Sequence, residues 1–332
     1  MLRWGVLGTA GIARSQVVPA IQGSSNGRVT AVASRDPGRS TEFAAAFGID
    51  NVFASYEALL ASPDVDAVYI PLPNAMHAEW AIRAADAGKA VLCEKPMALS
   101  AAEARRVADY FAAGNVPLME GFMYRFHPQN VHALKLVRDG AVGDIREVRA
   151  HLSVDIMANA AGNVRFDKAL GGGSLLDMGC YAVSAARRIL GEPFAAMASF
   201  DLDPATGIDL AATAILEFPD GRVALISSSF KGSGQGFYQI IGTKGVIDVP
   251  RAFIPGLGSR VAEGLVIASD PDGRRSETIF EPANHYRLMA EAFTDAVLSG
   301  EPVPYPPEDA VNNMRALDAI AASALSGRRV EI

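Results

Sequence analysis

The first third of the chain alternates short apolar runs with longer amphipathic stretches. Short apolar runs predict β-strands, and apolar residues at helical spacing predict helices. The predicted strands are residues 2–7, 29–33, 67–70, 90–93 and 116–119, and the predicted helices are about residues 12–21, 38–47, 56–60, 75–87 and 101–113. Because strands and helices alternate through short connections, we expect parallel βαβ units and a Rossmann-type, doubly wound parallel sheet.

The pattern changes after a predicted helix at residues 128–138. The later strands are predicted at residues 145–157, 195–203, 210–218, 223–230, 237–249, 264–268 and 278–280, with helices at about 175–190, 286–298 and 307–325. Strands that follow one another with few crossovers predict an α+β fold with a large, open, mostly antiparallel sheet. We expect a dinucleotide-binding domain over residues 1–121. Residues 122–332 should form a substrate-binding and oligomerisation domain, whose last helix is able to pack back on the first.

Composition narrows the class of protein. Half of the residues are hydrophobic and a fifth are charged, which is typical of a soluble globular protein. The net charge of −7 gives no basic footprint for nucleic acid or an anionic membrane. No run of about 18 apolar residues predicts a membrane span. An uncovered sheet face would be buried against a second subunit, which favours a homodimer or homotetramer.

Cysteine and histidine usage argues against a disulfide framework and a bound metal. The chain has two cysteines, Cys93 and Cys180, and five scattered histidines without a His-x-x-x-His pair. Neither cysteine has a base beside it in the sequence, so both are interpreted as buried small hydrophobic residues. No signal-peptide pattern precedes the first strand, so we expect a cytoplasmic protein.

A glycine-containing loop joins the first predicted strand to the first helix. Its sequence is Gly8-Thr9-Ala10-Gly11-Ile12-Ala13. Gly8 and Gly11 allow a tight turn that brings N–H groups to a pyrophosphate at a helix N-terminus. The middle glycine of the usual G-x-G-x-x-G/A pattern is Ala10, and such turns also occur without a ligand. Together with the βαβ units, the loop predicts dinucleotide binding.

The end of the second strand indicates which dinucleotide is bound. An NAD site usually has Asp or Glu here, whereas this chain has Ser34-Arg35-Asp36, with Arg39 one helical turn beyond. A hydroxyl and guanidinium groups suit a 2′-phosphate, which favours NADP(H) and leaves NAD(H) open. In the alternative interpretation Arg35 pairs with Asp36 or with solvent, or Asp36 binds a ribose.

Polar residues also follow two further predicted strands. After the strand at 67–70 come Pro71-Leu72-Pro73-Asn74 and then His77; the prolines stiffen a loop that faces a ribose or the nicotinamide. Asn74 and His77 could instead cap the next helix, and for His77 this role is favoured. After the strand at 90–93 come Glu94-Lys95-Pro96.

Pro96 forces a turn that holds two charges at the tip of a buried strand. Burying charged groups there is costly unless they have a function, and ligands bind at such strand tips. We therefore expect Lys95 to lie where cofactor and substrate meet. Glu94 would orient Lys95 or bond a ribose.

Four segments together resemble one family, the glucose–fructose oxidoreductase, inositol dehydrogenase and rhizopine-catabolism (Gfo/Idh/MocA) oxidoreductases. They are Gly8–Ala13, Pro71-x-x-Asn74-x-x-His77, Ala87-Gly88-Lys89-x-x-x-Cys93-Glu94-Lys95-Pro96 and Gly171-Gly172-Gly173-x-x-x-Asp177-x-Gly179-x-Tyr181. The likeness extends from the first strand through the second-domain sheet. It implies an enzyme that uses NAD(P) to oxidise or reduce a carbinol or carbonyl, usually on a sugar, polyol or cyclic diol.

The resemblance also implies roles for individual residues. Lys95 would be the catalytic lysine, with Asp177 and Tyr181 as the other polar residues of the site. Many members have His at the position of Tyr181. A tyrosine there resembles the branch that contains glucose–fructose oxidoreductase, dihydrodiol dehydrogenase and NADP-dependent xylose dehydrogenase. The segment 119–128 is similar to the same branch. Arg165 resembles an arginine near the nicotinamide, although the usual preceding Trp is Val164 here.

Several chemical assignments stay open at this stage. Tyr181 has an unperturbed pKa of about 10, which a nearby Lys95 ammonium would lower, or Lys95 itself handles the substrate proton. Tyr181 could also be a packed amphipathic tyrosine. Asp177 lies one turn before Tyr181 and either binds substrate, orients Lys95 or completes a capping box with Ser174.

Tyr124 and Arg125 form a basic and aromatic pair that suits a polyhydroxylated substrate. Alternatively, Arg125 pairs with a nearby acidic helix end. The leading hypothesis for the whole chain is an NADP-dependent oxidoreductase acting on CH–OH groups of a sugar, polyol or cyclic trans-diol. The alternatives are a non-catalytic NADP-binding sensor, disfavoured because Lys95, Asp177 and Tyr181 are all present, and a sugar–sugar transhydrogenase that retains its cofactor.

Overall fold

The structure is a computed structural model that describes residues 1–255 and 262–332. These residues form two compact units. The first comprises residues 1–123 and 284–311, and the second comprises residues 124–283 and 312–332. The division at residue 121 stays a prediction.

The first unit contains a parallel sheet. Among the described residues its strands are β1 (Leu2–Leu7), β2 (Gly27–Ala33), β3 (Asn51–Phe53), β4 (Ala67–Ile70), β5 (Ala90–Cys93) and β6 (Leu118–Glu120). The strand order is β3-β2-β1-β4-β5-β6, and every neighbouring pair is parallel. The order reverses between β1 and β4, which opens a ligand crevice at the carboxyl ends of the strands. The predicted doubly wound sheet is confirmed.

The helices of this unit begin and end close to the predicted positions. A π-helical turn (Ala13–Val17) precedes α1 (Val18–Gln22), and a 3₁₀ turn (Asn74–Met76) precedes α4 (His77–Asp86); the others are α2 (Pro37–Phe47), α3 (Tyr56–Leu60) and α5 (Ala101–Gly114). Ser100 caps α5 by accepting a hydrogen bond from the N–H of Glu103 at 3.2 Å. Strand β3 was not predicted, because it is only three residues long and is largely exposed at the edge of the sheet.

The second unit begins with α6 (Pro128–Arg138) and contains the larger sheet. Its described strands are β7 (Ile145–Ser153), β8 (Ala195–Leu202), β9 (Asp209–Glu217), β10 (Val223–Ser229), β11 (Gln235–Gly242), β12 (Gly245–Val249), β13 (Gly264–Ser269), β14 (Arg275–Phe280) and β15 (Val330–Glu331). The order is β14-β13-β12-β11-β7-β10-β9-β8-β15. Only the pair β7/β10 is parallel among these described strands. The predicted open, mostly antiparallel sheet is confirmed.

The prediction of one long strand over residues 237–249 is wrong. The chain turns at Thr243-Lys244, so that Gly242 pairs with Gly245 in a tight hairpin between β11 and β12. Gly245 has φ +153°, and a Cβ there would lie 2.3 Å from the carbonyl oxygen of Ser269. The continuous apolar residues on both sides of the turn concealed it in the sequence.

One face of this sheet is covered by a helix. A π-helical turn (Leu175–Gly179) leads into α7 (Cys180–Leu190), which packs on β7 and β10. On the opposite face Met197 pairs with Ile215, which pairs with Leu225, and all three side chains are exposed. The second unit therefore presents an apolar row on its uncovered face.

Two helices lie between β14 and β15 in the chain. Helix α8 (His285–Ser299) belongs to the first unit, where Phe293 packs on Trp4 with ring centroids 5.3 Å apart. Helix α9 (Pro307–Ser326) begins in the first unit and ends in the second. Across the described ranges, each helix is too short or too polar to cross a membrane.

Candidate active site

The glycine loop follows β1 in the conformation that the sequence requires. Gly8 has φ +110°, and a Cβ there would lie 3.2 Å from Leu72 and 3.7 Å from the hydroxyl oxygen of Tyr56. Its N–H donates to the carbonyl oxygen of Ala33 at the end of β2, at 2.7 Å. Around Gly11 the space that a Cβ would occupy has no described protein atom within 4 Å. The loop therefore leaves room for close approach of a ligand to its backbone.

The end of β2 carries two exposed cations beside a helix N-terminus. The carboxylate of Asp36 caps α2 by accepting from the N–H groups of Gly38 and Arg39, at 2.9 and 3.2 Å. Asp36 therefore serves the helix backbone, which removes it from the alternative pairing with Arg35. Within the described part of the chain, the exposed guanidinium groups of Arg35 and Arg39 form no ion pair. This arrangement suits an anion such as a phosphate.

Ser34 lies in the turn directly after β2. Its side chain is buried, and its hydroxyl donates to the carbonyl oxygen of Asp36 at 2.8 Å. Oγ of Ser34 also accepts a hydrogen bond from the N–H of Asp36, at 3.1 Å. Ser34 therefore shapes the turn that presents Arg35.

His77 joins the loop after β4 to the loop after β5. The ring is fully buried, with Nδ1 2.8 Å from the carbonyl oxygen of Pro96 and Nε2 2.7 Å from that of Leu72. Burial lowers the pKa of His77, whereas the two carbonyl oxygens act in the opposite direction. A neutral ring donates to one of the two loops at a time. His77 thus has a loop-joining role in place of the helix-capping role that was favoured.

The tip of β5 is held by hydrogen bonds on several sides. The N–H of Glu94 donates to Ile70 at 3.1 Å, and the hydroxyl of Tyr69 donates to the Glu94 carboxylate at 2.6 Å. The Lys95–Pro96 peptide is cis, and the N–H of Met97 donates to the buried carboxylate of Glu120 at 2.8 Å. These hydrogen bonds fix the backbone on both sides of Lys95, as expected for a residue that positions a reacting group.

Cys93 lies directly before this tip in β5. Burial raises the pKa of the Cys93 thiol well above its usual value, and the charges of Glu120 and Glu94 act in the same direction. The thiol is therefore protonated at neutral pH, in agreement with its interpretation as a buried hydrophobic residue.

Asp209, at the start of β9, holds the N-terminus of the helical segment that carries Asp177 and Tyr181. Its carboxylate accepts from the hydroxyl of Ser174 at 2.8 Å and from the N–H of Leu175 at 2.6 Å. The hydroxyl of Ser174 donates to Asp209 and forms no capping bond to its own helical segment, which excludes the alternative of a capping box between Ser174 and Asp177. Burial raises the pKa of Asp209, although these hydrogen bonds act against the change.

Two predicted site residues of the second unit meet in an ion pair. Nε of Arg165 lies 2.8 Å from Oδ2 of Asp177, and both side chains are accessible to solvent. The ring of Tyr181 is buried, with ring centroids 5.9 Å from Tyr124 and 5.7 Å from Phe253. Asp177 is therefore open to a ligand, while Tyr181 is held among aromatic side chains.

Tyr124 and Arg125 converge on Ser184, one turn after Tyr181 in α7. Both are buried, and the Tyr124 hydroxyl and Arg125 Nη2 each lie 2.7 Å from Oγ of Ser184. This contact places both side chains beside the helix of Tyr181. Sequence reasoning missed Ser184 and Asp209, because their partners lie far along the chain and give no local pattern.

A Rossmann-type sheet, a glycine loop, a cationic pair after β2 and a fixed lysine at the tip of β5 define a dinucleotide-dependent oxidoreductase. Comparison with known families agrees. Residues 2–122 match the model of the oxidoreductase family with an NAD-binding Rossmann fold, and residues 131–248 match the GFO/IDH/MocA C-terminal domain. The chain belongs to the Gfo/Idh/MocA oxidoreductase family.

Individual relatives cover most or all of the chain. It is 41% identical over 331 residues to a D-xylose 1-dehydrogenase (NADP(+)) of Haloferax volcanii, with all of both chains covered. It is 33% identical over 254 residues to a trans-1,2-dihydrobenzene-1,2-diol dehydrogenase of Xenopus laevis, with 75% of each covered. A 3-ketoreductase from Actinomadura kijaniata, solved with NADP and TDP-benzene, matches with a TM-score of 0.90 at 31% identity, covering 97% of each chain.

Proposed function

We propose that the protein is an NADP-dependent oxidoreductase that transfers a hydride between nicotinamide and a carbinol or carbonyl of a sugar, polyol or cyclic trans-diol. The observation that carries the choice of cofactor is the pair Arg35 and Arg39, whose exposed guanidinium groups flank the N-terminus of α2. Full-length similarity to an NADP-dependent xylose dehydrogenase supports the substrate class.

The residues of the chain bind, orient and exchange protons. The loop from Gly8 to Ile12 holds the pyrophosphate, and Pro71, Leu72, Asn74 and Glu94 line the ribose and nicotinamide side. The cofactor supplies the hydride; the protein supplies position and a proton. Lys95 and Tyr181 handle the proton of the substrate oxygen, and a general acid/base of this kind contributes about 10²–10⁴ in rate.

Asp177 supports a hydroxylated substrate in this proposal. Its carboxylate accepts hydrogen bonds from sugar hydroxyls, and Arg165, 2.8 Å away, orients it. Tyr124 and Arg125 contribute to substrate binding. Both contact Ser184 on helix α7, which also carries Tyr181.

The test is a screen of aldoses, polyols, cyclic diols and 1,2-dicarbonyls, read by NADPH or NADH absorbance. We expect turnover of at least one sugar or diol, with NADP preferred, and a loss of about 10²–10⁴ in kcat/KM for Lys95→Met and for Tyr181→Phe. Near-wild-type turnover in both variants would refute the site assignment. Absence of turnover together with NADP binding would favour a sensor.

We further propose a homodimer or homotetramer and a cytoplasmic location. The exposed apolar row of Met197, Ile215 and Leu225 supports the oligomer, and two free, buried cysteines agree with a reducing compartment. Gel filtration of wild type and of Ile215→Lys tests the oligomer; equal elution of the two as a monomer would contradict it. The same run tests for retained NADP(H), which a transhydrogenase would keep.

A further inference from the structure

We propose that the hydroxyl of Tyr56 is a third group that recognises the 2′-phosphate of NADP, with Arg35 and Arg39. This inference rests on the proposed function. It concerns the first residue of α3, which sequence analysis did not single out as a site residue. Its consequence is that Tyr56 contributes to the choice of NADP over NAD.

The tyrosine ring is fixed by its surroundings. Ser55 caps α3 by accepting from the N–H of Ala58 at 3.1 Å, so the backbone at Tyr56 is set. The ring packs edge-on against Trp80, with centroids 4.8 Å apart and an interplanar angle of 82°. Only 6% of Tyr56 is exposed. The direction of its hydroxyl is therefore determined before a ligand arrives.

The hydroxyl lies between the glycine loop and the cationic pair. A Cβ on Gly8 would be 3.7 Å from the hydroxyl oxygen, so this oxygen borders the loop where the pyrophosphate is expected. The backbone amide of Arg35 and the charges of Arg35 and Arg39 all act to lower the pKa of the Tyr56 hydroxyl, so this hydroxyl lies close to both residues. These groups meet where the adenosine ribose of a dinucleotide lies at the end of β2.

The hydroxyl proton is available to a ligand. No residue in the described ranges accepts a hydrogen bond from the O–H of Tyr56, so this group is able to donate to a ligand. Burial raises the pKa of Tyr56, while the charges of Arg35 and Arg39 act against that change, so the group keeps its proton at neutral pH. A phosphate oxygen between two guanidinium groups is a suitable acceptor, because hydrogen bonds to anions are short and strong.

The experiment compares ligands that differ only in the 2′-phosphate. Titration calorimetry of the full chain measures Kd for 2′,5′-ADP and 5′-AMP, and for NADP+ and NAD+, in wild type and in Tyr56→Phe. We expect about tenfold weaker binding of the two 2′-phosphorylated ligands and less than about twofold change for the other two. Phenylalanine retains the contact with Trp80, so the melting temperature should match that of wild type.

Tyr110→Phe is the matched control. Tyr110 is exposed in α5, where its hydroxyl donates to Asp86, so its loss should leave all four Kd values unchanged. An equal loss for ligands with and without the 2′-phosphate, or no loss in Tyr56→Phe, overturns the inference. If wild type itself fails to prefer 2′,5′-ADP over 5′-AMP, the NADP assignment of the proposed function falls and the inference falls with it.

Discussion

Asp209 offers the sharpest test of how the second unit positions its site residues. Replacing Asp209 by Ala removes the acceptor of two buried donors, the Ser174 hydroxyl and the Leu175 N–H, now at 2.8 and 2.6 Å. A buried donor left without a partner costs about 1–3 kcal/mol, and loss of a helix cap costs about 1 kcal/mol. Because burial raises the pKa of Asp209, desolvation of the carboxylate offsets part of this stabilisation. We therefore expect a net loss of about 2 kcal/mol.

The assay measures the free energy of unfolding of the second unit in urea. A second measurement gives kcat/KM on the substrate found in the screen. Asp209→Asn retains one acceptor oxygen and should lose about half as much stability as Asp209→Ala. Asp203→Ala is the control, because Asp203 is part-exposed and accepts from Thr206 in a surface turn; we expect a change within about 0.5 kcal/mol. Equal stability of Asp209→Ala and wild type would refute the reasoning.

Three further outcomes follow from the same structure. Arg35→Ala should raise the KM for NADP by about tenfold or more and change the KM for NAD little; equal changes for both would contradict the phosphate assignment. Burial lowers the pKa of His77 in the folded chain. As the pH falls, this histidine therefore becomes protonated in the unfolded chain before it does in the folded chain. Wild type should therefore lose stability relative to His77→Asn as pH falls below about 6.5, seen in melts across pH, and parallel curves would exclude this. Gly173→Ala should destabilise by about 1–3 kcal/mol in urea, because Gly173 has φ +116° and its Cβ would lie 2.1 Å from Asp209; wild-type stability would show that the loop adapts.

Local patterns determined much of the first unit. Strands β1, β4 and β5 have the predicted bounds, because each is an apolar run that ends at a glycine, a proline or a charge. The glycine loop and the tip with Lys95 follow from these strand ends, since parallel strands bring their carboxyl ends to one edge of a sheet. Family resemblance then implied roles for Asp177 and Tyr181, which spacing alone left open.

Contacts between distant residues were decided by the tertiary structure. Asp209 and Ser174 are 35 positions apart, and neither neighbourhood indicates that one serves the other. His77 was expected to act on its own helix, yet its partners are the carbonyl oxygens of Leu72 and Pro96 on two separate loops. The sequence by itself determined the alternation of strands and helices and the residue types at strand ends, because these depend on neighbours along the chain. Which buried donor meets which acceptor depends on the packing of the chain in three dimensions, and only the folded structure decides it.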